Sequence, residues 1–190
     1  VVQSNINTFG SLAMAGIGTY TKIEGFAFLP ITSFMMALTT FVSQNRGARE
    51  FDRARKGARF GLTCSVSLAE IIGLLIALFA EPLMRLFAND PQVIQYGVER
   101  AHYATILFFL LAYSHGVSAV LRGVGKSMVP MIVMLVCWCF VRVTLLTTLN
   151  MIFHNIIFVY MIYPFTWTLS SVVFLFYYRK INWQVYIIQF

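Results

Sequence analysis

A basic stretch, FVSQNRGAREFDRARKGAR at 41–59, lies between two long apolar runs and constrains the rest of the chain. It carries Arg46, Arg49, Arg53, Arg55, Lys56 and Arg59 against only Glu50 and Asp52. The runs on either side are long and apolar enough to span a bilayer. Under the positive-inside rule such a cluster is a cytoplasmic loop. A nucleic-acid patch would also be basic, but its flanks would not be membrane-length hydrocarbon. The expected partner is therefore a lipid bilayer and not nucleic acid.

Composition agrees. The chain of 190 residues is 59% hydrophobic and 11% charged, where soluble domains carry about 25% charge. The expectation is an all-α polytopic membrane protein folded as a single transmembrane unit over 1–190. Apolar segments and their breakers place helices at about 1–9, 12–45, 59–80, 93–120, 128–150 and 156–178. The basic inner loop is 46–59, and a C-terminal interfacial tail occupies 179–190. Pro30 and Pro164 are candidate kinks. Asn89-Asp90-Pro91 reads as a breaker within a connector at 82–92. The opening VVQSNINTFG resembles the end of a helix already under way, so an N-terminal portion is expected to be missing.

Charge counting tests the topology. With 46–59 inside, 121–127 and 179–190 are inside too. Ten of the 14 Lys/Arg then face the cytoplasm: the six above with Arg122, Lys126, Arg179 and Lys180. Arg85 and Arg100 fall outside, and Lys22 and Arg142 lie within spans. The expected location is the cell (plasma) membrane, multi-pass, with loop 46–59 and the C-terminus cytoplasmic.

Ionisable residues at membrane depth are costly and mark function. Here they are Lys22, Glu24, Glu70 and Arg142. Glu24 and Arg142 are placed to pair across helices, and Lys22 to snorkel to the interface. Glu70 sits roughly 16 Å from either end of its segment, with no cation at its level. It continues a polar stripe of Arg59, Thr63 and Ser67, which should avoid lipid. A protonatable acid at that depth suits proton coupling, as well as plain packing. His115 can titrate near neutral pH, or simply pack. Gln3, Asn7, Tyr20, Tyr113, Tyr163 and Trp167 are the cavity-lining candidates. Cys64, Cys137 and Cys139 form no metal or disulfide pattern. No nucleophile–base or metal constellation stands at membrane depth, so the chain is not expected to be an enzyme. RGVGK lacks phosphate-loop spacing, and Gly123 and Gly125 read as a tight inter-helix turn.

Three motifs carry a resemblance. Phe41-Val42-Ser43-Gln44-Asn45-Arg46-Gly47-Ala48, followed by Arg53-Ala54-Arg55-Lys56-Gly57, resembles an inner loop of the multidrug and toxic compound extrusion (MATE) family. Leu86-Phe87-Ala88-Asn89-Asp90-Pro91-Gln92-Val93-Ile94 resembles its outer connector. Leu121-Arg122-Gly123-Val124-Gly125-Lys126-Ser127 with Pro130 resembles a second inner loop, and Arg142 matches a basic residue of the following helix.

The resemblance implies one lobe of two, each of six helices. This chain would be a C-terminal lobe with its first helix largely missing: five full helices plus the end of another. It implies a cation-coupled (H⁺ or Na⁺) multidrug efflux antiporter working by alternating access, with no other cofactor. Small amphipathic or cationic drug-like molecules would be its substrates, and the missing N-terminal lobe its partner. Some members hold the coupling cation with acids on the seventh and tenth helices. Here the fourth segment has no acid beyond Glu99, so either the coupling acid lies in the missing lobe or Glu24 or Glu70 substitutes. The alternatives are a flippase of lipid-linked saccharides, which needs more cavity cations, and a non-transporting helix bundle or receptor.

Overall fold

The computed structural model describes residues 8–153 and 155–183. Gln3, Asn7, His154 and Tyr186 lie outside the described residues. The chain is all-α: α1 (Ser11–Gly47), α2 (Phe51–Leu78), the short α3 (Ala80–Arg85), α4 (Pro91–Thr105), α5 (Phe108–Gly123), α6 (Met128–Phe153) and α7 (Ile156–Arg179). Four of these, α1, α2, α6 and α7, are long and apolar enough to cross a membrane. The bent pair α4–α5 passes the same length and composition test when its two helices are taken together. The chain is an all-α polytopic membrane protein.

Besides the short helix Ala80–Arg85 at the start of the expected connector 82–92, two boundaries differ from the sequence reading. The basic stretch is not an open loop. Helix α1 runs to Gly47, a tight turn takes 48–50, and α2 starts at Phe51. Ala54 and Ala58 are fully buried, so this turn of helix packs while its cations point away. Alanine and long basic side chains are good helix formers, and that outweighs their loop-like charge. The second difference is in 93–120, which is two helices bent by 55°. Neither Gly nor Pro stands at the break. One local and two tertiary features surround it instead. Thr105 turns its hydroxyl back to the Ala101 carbonyl, 2.8 Å away. Gly73 of α2 leaves room for the Thr105 carbonyl, which would stand 2.4 Å from any added Cβ. The Phe109 amide at the new helix start donates to the Glu70 carboxylate at 3.0 Å.

Other local signals act as their chemistry suggests. Asp90 caps α4, its carboxylate accepting from the Gln92 and Val93 amides, with Pro91 at the first helical position. Gly125 takes a φ of +84°, a left-handed turn that glycine enters without strain.

Small residues bring helices into contact, as membrane packing requires. Where α1 crosses α4, a Cβ on Gly16 would stand 2.6 Å from the Val93 carbonyl. Where α1 crosses α5, a Cβ on Gly123 would stand 2.9 Å from the Thr39 carbonyl. Helices α6 and α7 are antiparallel neighbours, and their pairing repeats every fourth residue. The Trp138 indole donates to Ser170 at 3.2 Å, and Arg142 donates to Thr166. Leu146 and Ile162 share the next core cluster. A π-helical stretch, Leu135–Val141, precedes Arg142.

Candidate functional site

The Gly16 crossing sets up the site. One turn beyond it on α1 stands Tyr20, and two turns beyond it stands Glu24. On α4, Gly97 packs against the Gly16 carbonyl, and Arg100 follows three residues later. Helix α6 adds Trp138 and Arg142, and α7 adds Tyr163 and Thr166. Four helices thus converge on one polar interior.

Arg100 is only 1% exposed. Its guanidinium lies 4.2 Å from the Tyr163 ring centroid and 5.5 Å from that of Tyr20. Arg142 lies 4.5 Å from the same Tyr163 ring and 5.1 Å from Trp138. One tyrosine therefore serves two cations. Arg142 also donates through Nε (3.1 Å) and Nη2 (2.6 Å) to the Thr166 hydroxyl. Arg100 is less well served: its Nε and Nη1 are buried without a hydrogen-bond partner. Cation–π contacts are worth roughly 0.5–2 kcal/mol each, whereas burying an unpaired charge costs several kcal/mol. The aromatic rings offset only part of that cost.

Glu24 is half-buried and interacts electrostatically with both Arg100 and Arg142. It is not in contact with either. Among the described residues the ion pair in contact is Arg85–Glu81 on α3, at 2.6 Å. The direct Glu24–Arg142 pair expected from sequence is therefore corrected: Thr166 is the nearer partner of Arg142. The site holds two permanent cations and one acid.

The other sequence candidates separate. Tyr20 and Tyr163 are in the site. Trp167 is buried beside it, edge-on to Tyr163 and Phe108. Lys22 is exposed and takes no part. His115 stands edge-on to Phe28 and Trp138, with ring centroids 4.9 and 5.1 Å away. Both its nitrogens are buried and unpartnered. Ser114 instead joins Ser170 and Ser171, each at 2.9 Å. Tyr113 packs in the apolar cluster at the opposite end of the bundle. Glu70 is remote from the arginines and holds the start of α5. Arg59, Thr63 and Ser67 of its stripe are exposed on the outside of the bundle, which corrects the expectation of a protected face.

The motif residues form a second assembly. Arg46 donates to the Val124 carbonyl, which ties the two motif loops together. Gln44 takes the Ala48 amide on its carbonyl at 2.9 Å, while Gly47 and Ala48 are exposed at the turn. Arg122 donates to Ser118 at 2.6 Å.

Arg100 is the residue that charge counting misplaced, as an outer-surface cation. A signal was present. Val93, Gly97, Ala101 and Ala104 form the apolar stripe of α4, all of them buried, and Arg100 lies on that stripe.

Comparisons with known proteins bear on the whole arrangement. The MatE family model matches residues 1–148. A probable multidrug resistance protein NorM from Thermotoga maritima is 31% identical over 65% of this chain, which spans 27% of that protein. An FAD transporter from Shewanella oneidensis is 30% identical over 50% of this chain and 21% of that protein. A crystal structure of MATE in the bent conformation superposes with a TM-score of 0.88 at 14% identity, covering 95% of this chain and 41% of that one. At that identity the superposition speaks for the fold alone.

Proposed function

Because the chain belongs to the MatE family, matched over residues 1–148, we propose that it forms most of one lobe of a multidrug efflux antiporter driven by H⁺ or Na⁺. It works by alternating access together with a further lobe of the same polypeptide, and exports small amphipathic or cationic molecules. The observation that carries this reading is the family match itself, which includes relatives described as probable multidrug resistance proteins. The polar interior supplies what such a lobe needs: charge at membrane depth, gathered from four helices. The motif end, with 46–59 and Arg179-Lys180, is cytoplasmic in this reading. An impermeant thiol reagent that labels Asp52→Cys from outside intact cells, in a cysteine-free background, overturns that orientation.

Two acids are coupling candidates, and we put Glu24 before Glu70. Glu24 faces the interior and senses both arginines. Glu70 accepts a backbone amide at the helix break. In proteoliposomes of the full-length protein, Glu24→Gln is expected to reduce substrate-driven H⁺ or Na⁺ exchange at least tenfold. Unchanged exchange removes Glu24 from the coupling role and returns Glu70 to first place.

A second reading has its own observation. The buried Arg100 keeps two donors without partners, and Arg142 stands beside it. Such a pair suits an anion more than a cation, and a 30%-identical relative is an FAD transporter. The substrate in this reading carries a pyrophosphate, either in a soluble dinucleotide or in a lipid-linked saccharide. Parallel transport assays with a cationic dye and with FAD separate the readings. Dye export without FAD export supports the first; FAD export abolished by Arg100→Gln supports the second.

A further inference from the structure

At the motif end of the bundle, away from the Arg100 site, α2 and α7 enclose a cleft of about 310 Å³ lined by Arg55, Arg59, Tyr178, Arg179, Ile181 and Trp183. It adjoins a second cleft of about 360 Å³ that adds Lys180 and a single acid, Asp52. We propose that this cleft binds the phosphate of an anionic phospholipid headgroup.

Four cations from two helices converge here. Arg55 and Arg59 are one turn apart on α2, a like-charge spacing that disfavours the helix by itself. Arg179 and Lys180 close the end of α7, where cations complement the helix dipole. Among the described residues no acid forms a contact ion pair with any of the four. Gathering them costs Coulomb energy that an anion between them removes. The Tyr178 hydroxyl is buried beside Arg55 and Arg59 and interacts with the Arg59 guanidinium.

The neighbouring face of α2 provides the contrast. There Arg53 and Lys56 line a cleft with Glu50 and Asp52, the last of which borders the α2–α7 side as well, so two cations face two acids. Positive charge is common to both faces; an excess of it is confined to the α2–α7 cleft.

Position selects a lipid over a soluble phosphate. Within one turn of Arg179 toward the apolar part of α7, Phe176 and Tyr177 are exposed, a surface suited to acyl chains. Tyr178 and Trp183 meet edge-on with centroids 6.4 Å apart. Such rings favour the headgroup level of a bilayer. Basic pockets between spans at this level suit anionic headgroups.

The test titrates the full-length protein in detergent with phosphatidylglycerol, phosphatidylcholine and inorganic phosphate, counting bound molecules by native mass spectrometry. The expected result is a phosphatidylglycerol whose affinity falls about thirtyfold in the R55Q/R59Q pair. The same loss is expected in R179Q/K180Q, at the end of a helix, which decides the matter if the first pair misfolds. The R53Q/K56Q pair should change the affinity less than threefold. Equal losses in all three pairs overturn the proposal in favour of diffuse attraction. Equal binding of phosphatidylcholine overturns it as well. Inorganic phosphate that displaces the lipid at low millimolar concentration reassigns the cleft to a soluble anion.

Discussion

The two ends of this bundle are built on different terms. At the motif end, two loop arginines are tied to protein acceptors: Arg46 joins α1 to the turn after α5, and Arg122 is held by Ser118. Gly123 brings α5 against α1 with no space to spare. Toward the other end, Arg100 is buried with two donors unused, two cations share one tyrosine, and Glu24 is near both but touches neither. A membrane interior penalises unsatisfied groups more than water does, so such an arrangement does not arise from packing for stability. The difference separates a closely packed frame from a polar interior whose charges are incompletely paired.

The contrast can be broken most forcefully at the frame. Gly123→Val puts a side chain where the Thr39 carbonyl and the Val42 side chain already stand within 3.0 Å. A loss of about 3 kcal/mol is expected, near the top of the range for overpacking. It would read as a lower melting temperature and little folded protein on size exclusion. A fully stable Gly123→Val protein would mean that the motif end is not rigid.

Arg100→Met tests the opposite end with the opposite expectation. Replacing a poorly paired buried charge by an apolar side chain of similar length is often neutral or stabilising, by about 1–4 kcal/mol. The melting temperature should hold or rise while transport falls at least tenfold. A large loss of stability would show that Arg100 is structural and would sink the proposed site.

The smallest effect is expected at Glu70→Gln. The amide can still accept from Phe109 through its carbonyl oxygen, so only the charge–dipole part is lost, about 0.5–1 kcal/mol. Thermal unfolding and hydrogen exchange at Phe109 would register it. A collapse of transport with unchanged stability would instead promote Glu70 to a coupling residue and blur the distinction between frame and site.

Much of this was legible in the sequence because bilayers impose one-dimensional rules. Apolar length marked the spans, and Asp90-Pro91 announced the start of α4. The three motifs carried the family resemblance. Local reasoning failed where charge had two meanings. The cations of 41–59 look like a loop, yet Ala54 and Ala58 bury one side of a helix. Arg100 looks like an outer-surface cation, yet it follows the buried stripe of Val93, Gly97 and Ala101 inward.

By itself the sequence determined the class of fold, since hydrocarbon length and charge placement act through neighbours along the chain. The tertiary structure alone decided the bend at 106–107. No breaker stands there, and the Glu70 carboxylate and the space at Gly73 come from another helix. It alone also gathered Tyr20, Glu24, Arg100, Arg142 and Tyr163 into one site. They span 144 positions of sequence, and their meeting depends on where Gly16 lets two backbones cross.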